Sequence, residues 1–357
     1  MLPTYTIYLC VLFFSSVMAF GFEHSKSNFR WVLWGMLFFT LWLPAAIRYG
    51  VGTDYYRYIN MVDSVRLGYI STELGYYLIN LSVVLLDISP QWAIALSSFI
   101  VVLFCLKAIP KKYFAISVFV FVATFYLPAF SLIRQAIAIA FIAYAVRSYI
   151  DGNKIKYITF IVLGAFFHLS ALILLPFYFL AKIKASAVFL IIGMIFLSVA
   201  IFIGGGLNTI VNSDFLAQSK YGYYAASNFV EDAKIGSGIG VLIKMMLPLL
   251  LVINSKAVLK LNPNLNLLIW ISAGCIISNI CSMKIQIFNR LADVFLFSNF
   301  IVLPYLLASF SKDIIRKVSL IAITSIFFIF YCRTIQVNYN DDQGGIGISP
   351  YDTIFSK

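Results

Sequence analysis

The chain has 357 residues, of which 62% are hydrophobic and 11% charged, with a net charge of +12 at neutral pH. No soluble domain of this size hides that much apolar surface, so the composition excludes a soluble globular protein and predicts an all-α polytopic membrane protein. Five scattered cysteines and two histidines exclude a disulfide framework or a dedicated zinc cage.

In chain order, apolar runs lie near 4–21, 31–47, 73–88, 91–106, 113–129, 132–150, 157–181, 186–206, 237–254, 265–283, 291–309 and 317–332. They predict about ten to thirteen membrane helices in a single integral membrane domain, 1–357, some of them re-entrant or broken. The first run has no cleavage signature and reads as a retained span. The connections fall into two groups. Those at 23–30, 107–112, 147–156, 182–184, 256–260 and 312–317 hold fifteen Lys and Arg against three acids. This side is expected to be cytoplasmic. It accounts for the whole positive charge and leaves nucleic-acid binding without motivation. The remaining stretches are close to neutral: the loops 48–72 and 207–236, the stretch 284–290 and the tail 333–357, all expected to face outward.

Parity adds a constraint. If Arg48 faces outward and 107–112 inward, the runs 73–88 and 91–106 cannot both cross. The first is interrupted by Gly75, Asn80 and Asp87 and is expected to be re-entrant, interfacial or tilted. The run 157–181 has bases at both ends, His168 near its middle and Pro176 beyond. It predicts a hairpin of two short helices turning near His168.

Ionisable residues at membrane depth are costly unless paired or facing water. In "AAIRYGVGTDYYRYINM", residues 45–61, Gly50 and Gly52 allow a tight turn, Arg48 and Asp54 flank it, and Tyr55 and Tyr56 follow. An aromatic interface belt explains the tyrosines alone, with Asp54 as a helix cap. Arg134 and Gln135 open the helix of "LIRQAIAIAF", and His168 lies in "FFHLSALILLP". Arg290 and Asp293 lie at helical spacing in "NRLADVF". Tyr221, Tyr223 and Tyr224 mark the 207–236 loop, and Lys244 lies inside an apolar run with no role that the sequence defines. Arginines gathered at one membrane face suit a pyrophosphate, and tyrosines beside them suit sugar rings.

The segments "IRYGVGTDYYRY", "LIRQAIAIAF", "FFHLSALILLPF", "NRLADVF" and "SPYDTIF", in that order, resemble the EpsG family of bacterial polysaccharide proteins, grouped with Wzy-type repeat-unit polymerases. The resemblance covers roughly 30–352. It implies a GT-C-like glycosyltransferase fold in the bacterial inner membrane with the active site facing the periplasm. The donor would be a glycan on undecaprenyl pyrophosphate and the acceptor a sugar hydroxyl of another lipid-linked repeat unit. A chain-length regulator and a flippase are the implied neighbours. Asp341-Asp342 does not match the Asp-x-Asp metal spacing, so no metal and no cofactor are expected. On this reading Arg48, Arg134 and Arg290 clamp the pyrophosphate, with Gln135, Tyr55 and Tyr56 in the binding site, and His168 or Asp54 is the base. A flippase of lipid-linked sugars, an O-antigen ligase and a membrane O-acyltransferase are the competing readings.

Overall fold

The computed structural model describes residues 2–26, 29–70, 72–203, 238–284, 288–338 and 345–355. Tyr221, Tyr223 and Tyr224 lie outside the described residues. The helices are α1 Leu2–His24, α2 Phe29–Ile47, α3 Tyr55–Arg66, α4 Leu74–Leu85, α5 Gln91–Ala108, α6 Phe114–Phe121, α7 Ile133–Ile150 and α8 Lys154–Ala165. They continue with α9 Leu175–Leu180, α10 Ala187–Phe202, α11 Ile239–Ile253, α12 Ser255–Leu261, α13 Asn266–Lys284, α14 Phe288–Val294, α15 Ser298–Ser309 and α16 Asp313–Val337. Two short strands, β1 Arg48–Tyr49 and β2 Asp352–Thr353, pair antiparallel.

The protein is an all-α, multi-pass membrane protein. Six of its described helices are long and apolar enough to cross a bilayer, or up to eight if each of two bent pairs is one span. The bends are 72° between α11 and α12 and 48° between α14 and α15. Every apolar run of the sequence is helical, but four form only shorter apolar helices. Among the described residues, six to eight candidate spans and four shorter apolar helices thus account for the apolar runs. Hydropathy measures apolar length, whereas crossing requires about 20 residues of uninterrupted helix.

The chain separates into two compact units, Met1–Leu175 with Ser311–Lys357, and Pro176–Phe310. In the first, α7 is buried all round, the pattern of a helix at the centre of a bundle. Its alanines permit close approach: a Cβ on Gly164 of α8 would lie 3.3 Å from the Ala138 carbonyl. One end of this unit carries the basic connections, where Glu23 accepts from the Tyr113 and Ala115 amides. The opposite end carries Arg48, Phe130, Arg134 and the C-terminal strand.

Two features agree with the parity constraint. Helix α4 has 12 residues, about 18 Å at 1.5 Å per residue, against about 30 Å of hydrocarbon. The run 157–181 breaks after Ala165, and the 3-10 turn Leu169–Leu174 folds back along α8, with the Tyr157 hydroxyl donating to the Leu174 carbonyl at 2.5 Å.

In the second unit, α13 carries Asn266 at its start, and the Asn266 amide donates to the Ala181 and Ile183 carbonyls. Further along, Cys275 Sγ lies 3.6 Å from Asn279 Nδ2 on the same helix and 3.5 Å from Ser298 Oγ of α15.

Candidate functional site

A helix ends with four carbonyls that have no partner within it. Helix α2 ends in Pro44, Ala45, Ala46 and Ile47, and each receives a donor from elsewhere. Tyr351 Oη donates to Pro44 O at 2.8 Å and Arg48 Nη1 to Ala45 O at 2.5 Å. Gln91 Nε2 donates to Ala46 O at 2.6 Å, and the Ile354 amide to Ile47 O at 3.0 Å. The cation also suits the negative end of the helix dipole.

Arg48 is 1% exposed. Besides Ala45 O, it donates to Val51 O (3.2 Å), Ser98 Oγ (3.2 Å) and Phe130 O (3.3 Å), and its guanidinium lies 4.4 Å from the Phe130 ring centre. Burial pulls the guanidinium down to about 10, still charged at neutral pH. These bonds correct the expectation that Arg48 clamps a pyrophosphate. Most of its donors are engaged by the protein's own oxygens, so it ties α2, α5 and the 128–130 turn together.

Gly52 explains why the turn needs glycine. Its φ is +104°, and a Cβ there would stand 2.4 Å from the Phe130 carbonyl oxygen. The tail closes over the same turn: the Gly52 amide donates to Gly347 O at 2.6 Å and Ser131 Oγ to Ile346 O at 2.6 Å. Tyr8 Oη reaches Ile348 O at 2.6 Å. The segment "SPYDTIF" thus supplies a strand and two caps to the Arg48 turn, a role the sequence did not disclose.

Of the expected tyrosines, Tyr55 is 1% exposed and donates to Gln91 Oε1 at 2.5 Å. Burial pushes its phenol up to about 12. It is a core residue rather than a sugar platform, and Tyr55→Phe should cost about 1 kcal/mol, read as a lower thermal midpoint in detergent. Tyr56 is 56% exposed. Its ring meets Tyr49 and Tyr55 edge-on at 6.2 and 5.2 Å. Beside these rings lies an open, mainly apolar groove of about 610 Å³, lined by Trp42, Tyr49, Tyr55, Tyr56, Gln91 and Trp92 among others. Asp54 stands at the N-cap of α3 but makes no side-chain cap hydrogen bond.

Arg134 opens α7, half-buried, and Nη1 donates both to Glu73 and to Thr72 Oγ1, the latter at 3.1 Å. Its guanidinium lies 5.8 Å from the Tyr58 ring centre. Glu73 was not anticipated. Burial alone would raise its carboxyl, but a backbone hydrogen bond and Arg134 together hold it below the usual carboxylate range. The available signal was an acid immediately preceding a short apolar run, on the side where Arg134 lacked a partner. Gln135, one residue on, is buried and turned about 100° from Arg134 around the helix, so the two do not present one shared face.

His168 caps the 3-10 turn that follows it. Its Nδ1 lies 2.6 Å from Ser170 Oγ and accepts from the Ser170 amide at 3.4 Å. The adjacent Phe166 carbonyl accepts from the Gly75 amide at 2.8 Å, at the start of the helix that carries Glu73. A cluster of Tyr55, Tyr58, Met61, Tyr76, Ile94 and Ile133, with Phe167 packed on it, binds these elements together. In the first unit, therefore, the 45–61 stretch, Arg134 and the His168 turn do surround one core.

Arg290 belongs to the second unit, exposed on α14. Asp293, one turn on, is half-buried and interacts electrostatically with Lys244 first and Arg290 second. Lys244 thus has an acidic neighbour. Among the described residues, no group of three His, Cys, Asp or Glu is placed to hold a metal ion.

Comparison with models of protein families finds a match to the EpsG family over residues 31–353. No curated protein and no solved structure matches the chain.

Proposed function

Since the chain belongs to the EpsG family, we propose that it is a Wzy-type repeat-unit polymerase with a GT-C-like architecture. It transfers a glycan from a polyprenyl pyrophosphate to the sugar hydroxyl of a second lipid-linked repeat unit, on the outward face of the bacterial inner membrane. The observation that carries this reading is Arg134. A guanidinium at the mouth of a membrane helix, partly exposed and held by one carboxylate and one hydroxyl, is suited to a phosphate oxygen. The aromatic groove lined by Trp42, Tyr56 and Trp92 fits the apolar and sugar portions of such a substrate. Asp54, with no cap bond to hold it, is the base for the acceptor hydroxyl. His168 presents a donor toward developing charge. Arg290 is the second unit's candidate phosphate contact.

Deleting the gene and examining surface glycan tests the reading. The expected result is loss of long chains while a single repeat unit remains attached to its final carrier. Loss of all attached glycan would overturn it in favour of a flippase or a ligase. Unchanged chain lengths would remove glycan assembly altogether.

A further inference from the structure

Glu73 is the one acid beside Arg134 that the proposed chemistry leaves without a task. Thr72 Oγ1 donates to Glu73 Oε2 at 3.0 Å and accepts from Arg134 Nη1, so the three side chains form a closed triangle. The ion pair is not sealed, its side chains being 19% and 28% exposed. Around it, hydrogen-bonding capacity is left over. Arg134 Nε is buried with no partner, and so are the Tyr76 hydroxyl and both amide atoms of Asn80. Tyr76 and Asn80 stand one turn apart on the buried face of α4, the helix that Glu73 precedes. The Tyr76 ring meets Tyr58 at 5.3 Å, and Arg134 lies over that same Tyr58 ring. A guanidinium pairs best through two parallel N–H groups. Here Nη1 serves Glu73 and Thr72, while Nε has no partner.

Resting on the reading of Arg134 as the phosphate ligand, we infer that Glu73 is the specificity-determining residue of this seat. Its carboxylate occupies Arg134 as an internal anion, which an incoming ligand must displace. A monophosphate gains little from that exchange, because its oxygens only take the place of the carboxylate on Nη1. A diphosphate brings a second set of oxygens, which the unused Nε–H can meet once the carboxylate has moved aside. The seat therefore selects diphosphate over monophosphate, and Glu73 sets the margin.

The test uses the purified full-length protein in detergent. Its thermal midpoint is followed against inorganic pyrophosphate and against inorganic phosphate. Wild type should respond to pyrophosphate at concentrations about tenfold below those of phosphate, the scale of one charge-assisted hydrogen bond. Glu73→Gln should respond to both anions at lower concentrations, with the preference reduced about tenfold. Arg134→Ala should respond to neither. Glu73→Asp, which keeps the charge on a shorter arm, should shift the preference in the same direction by less, and it carries the test if the glutamine variant does not fold. An unchanged preference in the Glu73 variants, or a wild-type response in Arg134→Ala, would overturn the inference. Because no glycan is transferred in this assay, failure of the polymerase reading is recognised separately, from surface glycan.

Discussion

Arg48→Met should leave little folded protein in the membrane. Methionine keeps the apolar stem but strands the carbonyls of Ala45, Val51 and Phe130, all on the inside of the 48–53 turn. Each buried acceptor left without its donor costs about 1–3 kcal/mol, and three together are a large share of the stability of most domains. Arg48→Lys should recover only part of this. An ammonium has three donors at one point, whereas the arginine fork reaches acceptors on α2, the turn, α5 and the 128–130 segment. Membrane yield and thermal midpoint in detergent are the readouts. Wild-type yield and midpoint in Arg48→Lys, together with lost polymer, would return Arg48 to the phosphate site.

That arginine shows where reading the sequence stops. Charge asymmetry and apolar runs were legible, and so were the shortness of the 73–88 helix and the break at His168, seen in the 12-residue α4 and the 3-10 turn. What the sequence cannot display is which donors are already engaged. The partners of Arg48 lie 3, 50 and 82 residues away, and Glu73 lies 61 from Arg134. Each pairing exists only once the helices are bundled. A buried tie and a phosphate ligand look alike as an arginine after an apolar run, because both occur where a helix leaves the membrane. The tail is similar. "SPYDTIF" has too few residues to signal a strand, and β2 forms only because β1 and the open end of α2 are there to receive it.

The broken and shorter apolar helices have local causes. Pro44, Pro248 and Pro304 lie inside helices, a π-turn spans Val122–Tyr126, and the bends after α11 and α14 divide otherwise continuous apolar segments. Apolar composition tolerates every one of these interruptions, whereas a straight span tolerates few.

The two candidate bases separate on their hydrogen bonds. At His168, the Ser170 amide donates to Nδ1, so Nδ1 is the acceptor and the proton of the neutral ring belongs on Nε2. The ring is then a donor through Nε2. Asp54 has the complementary property: it occupies a cap position whose amides its carboxylate does not engage. Asp54→Asn should therefore reduce polymer formation from purified lipid-linked repeat units by about 10²–10⁴, the usual contribution of a general base. Its thermal midpoint should hold, since asparagine suits an N-cap as well as aspartate does. His168→Gln, which retains an amide donor near the position of Nε2, should keep more activity than His168→Ala. The reverse pattern, an active Asp54→Asn with His168→Gln as inactive as His168→Ala, would make the histidine the base. It would also require the other tautomer, in which Nδ1–H donates to Ser170 Oγ and Nε2 takes the proton of the acceptor hydroxyl.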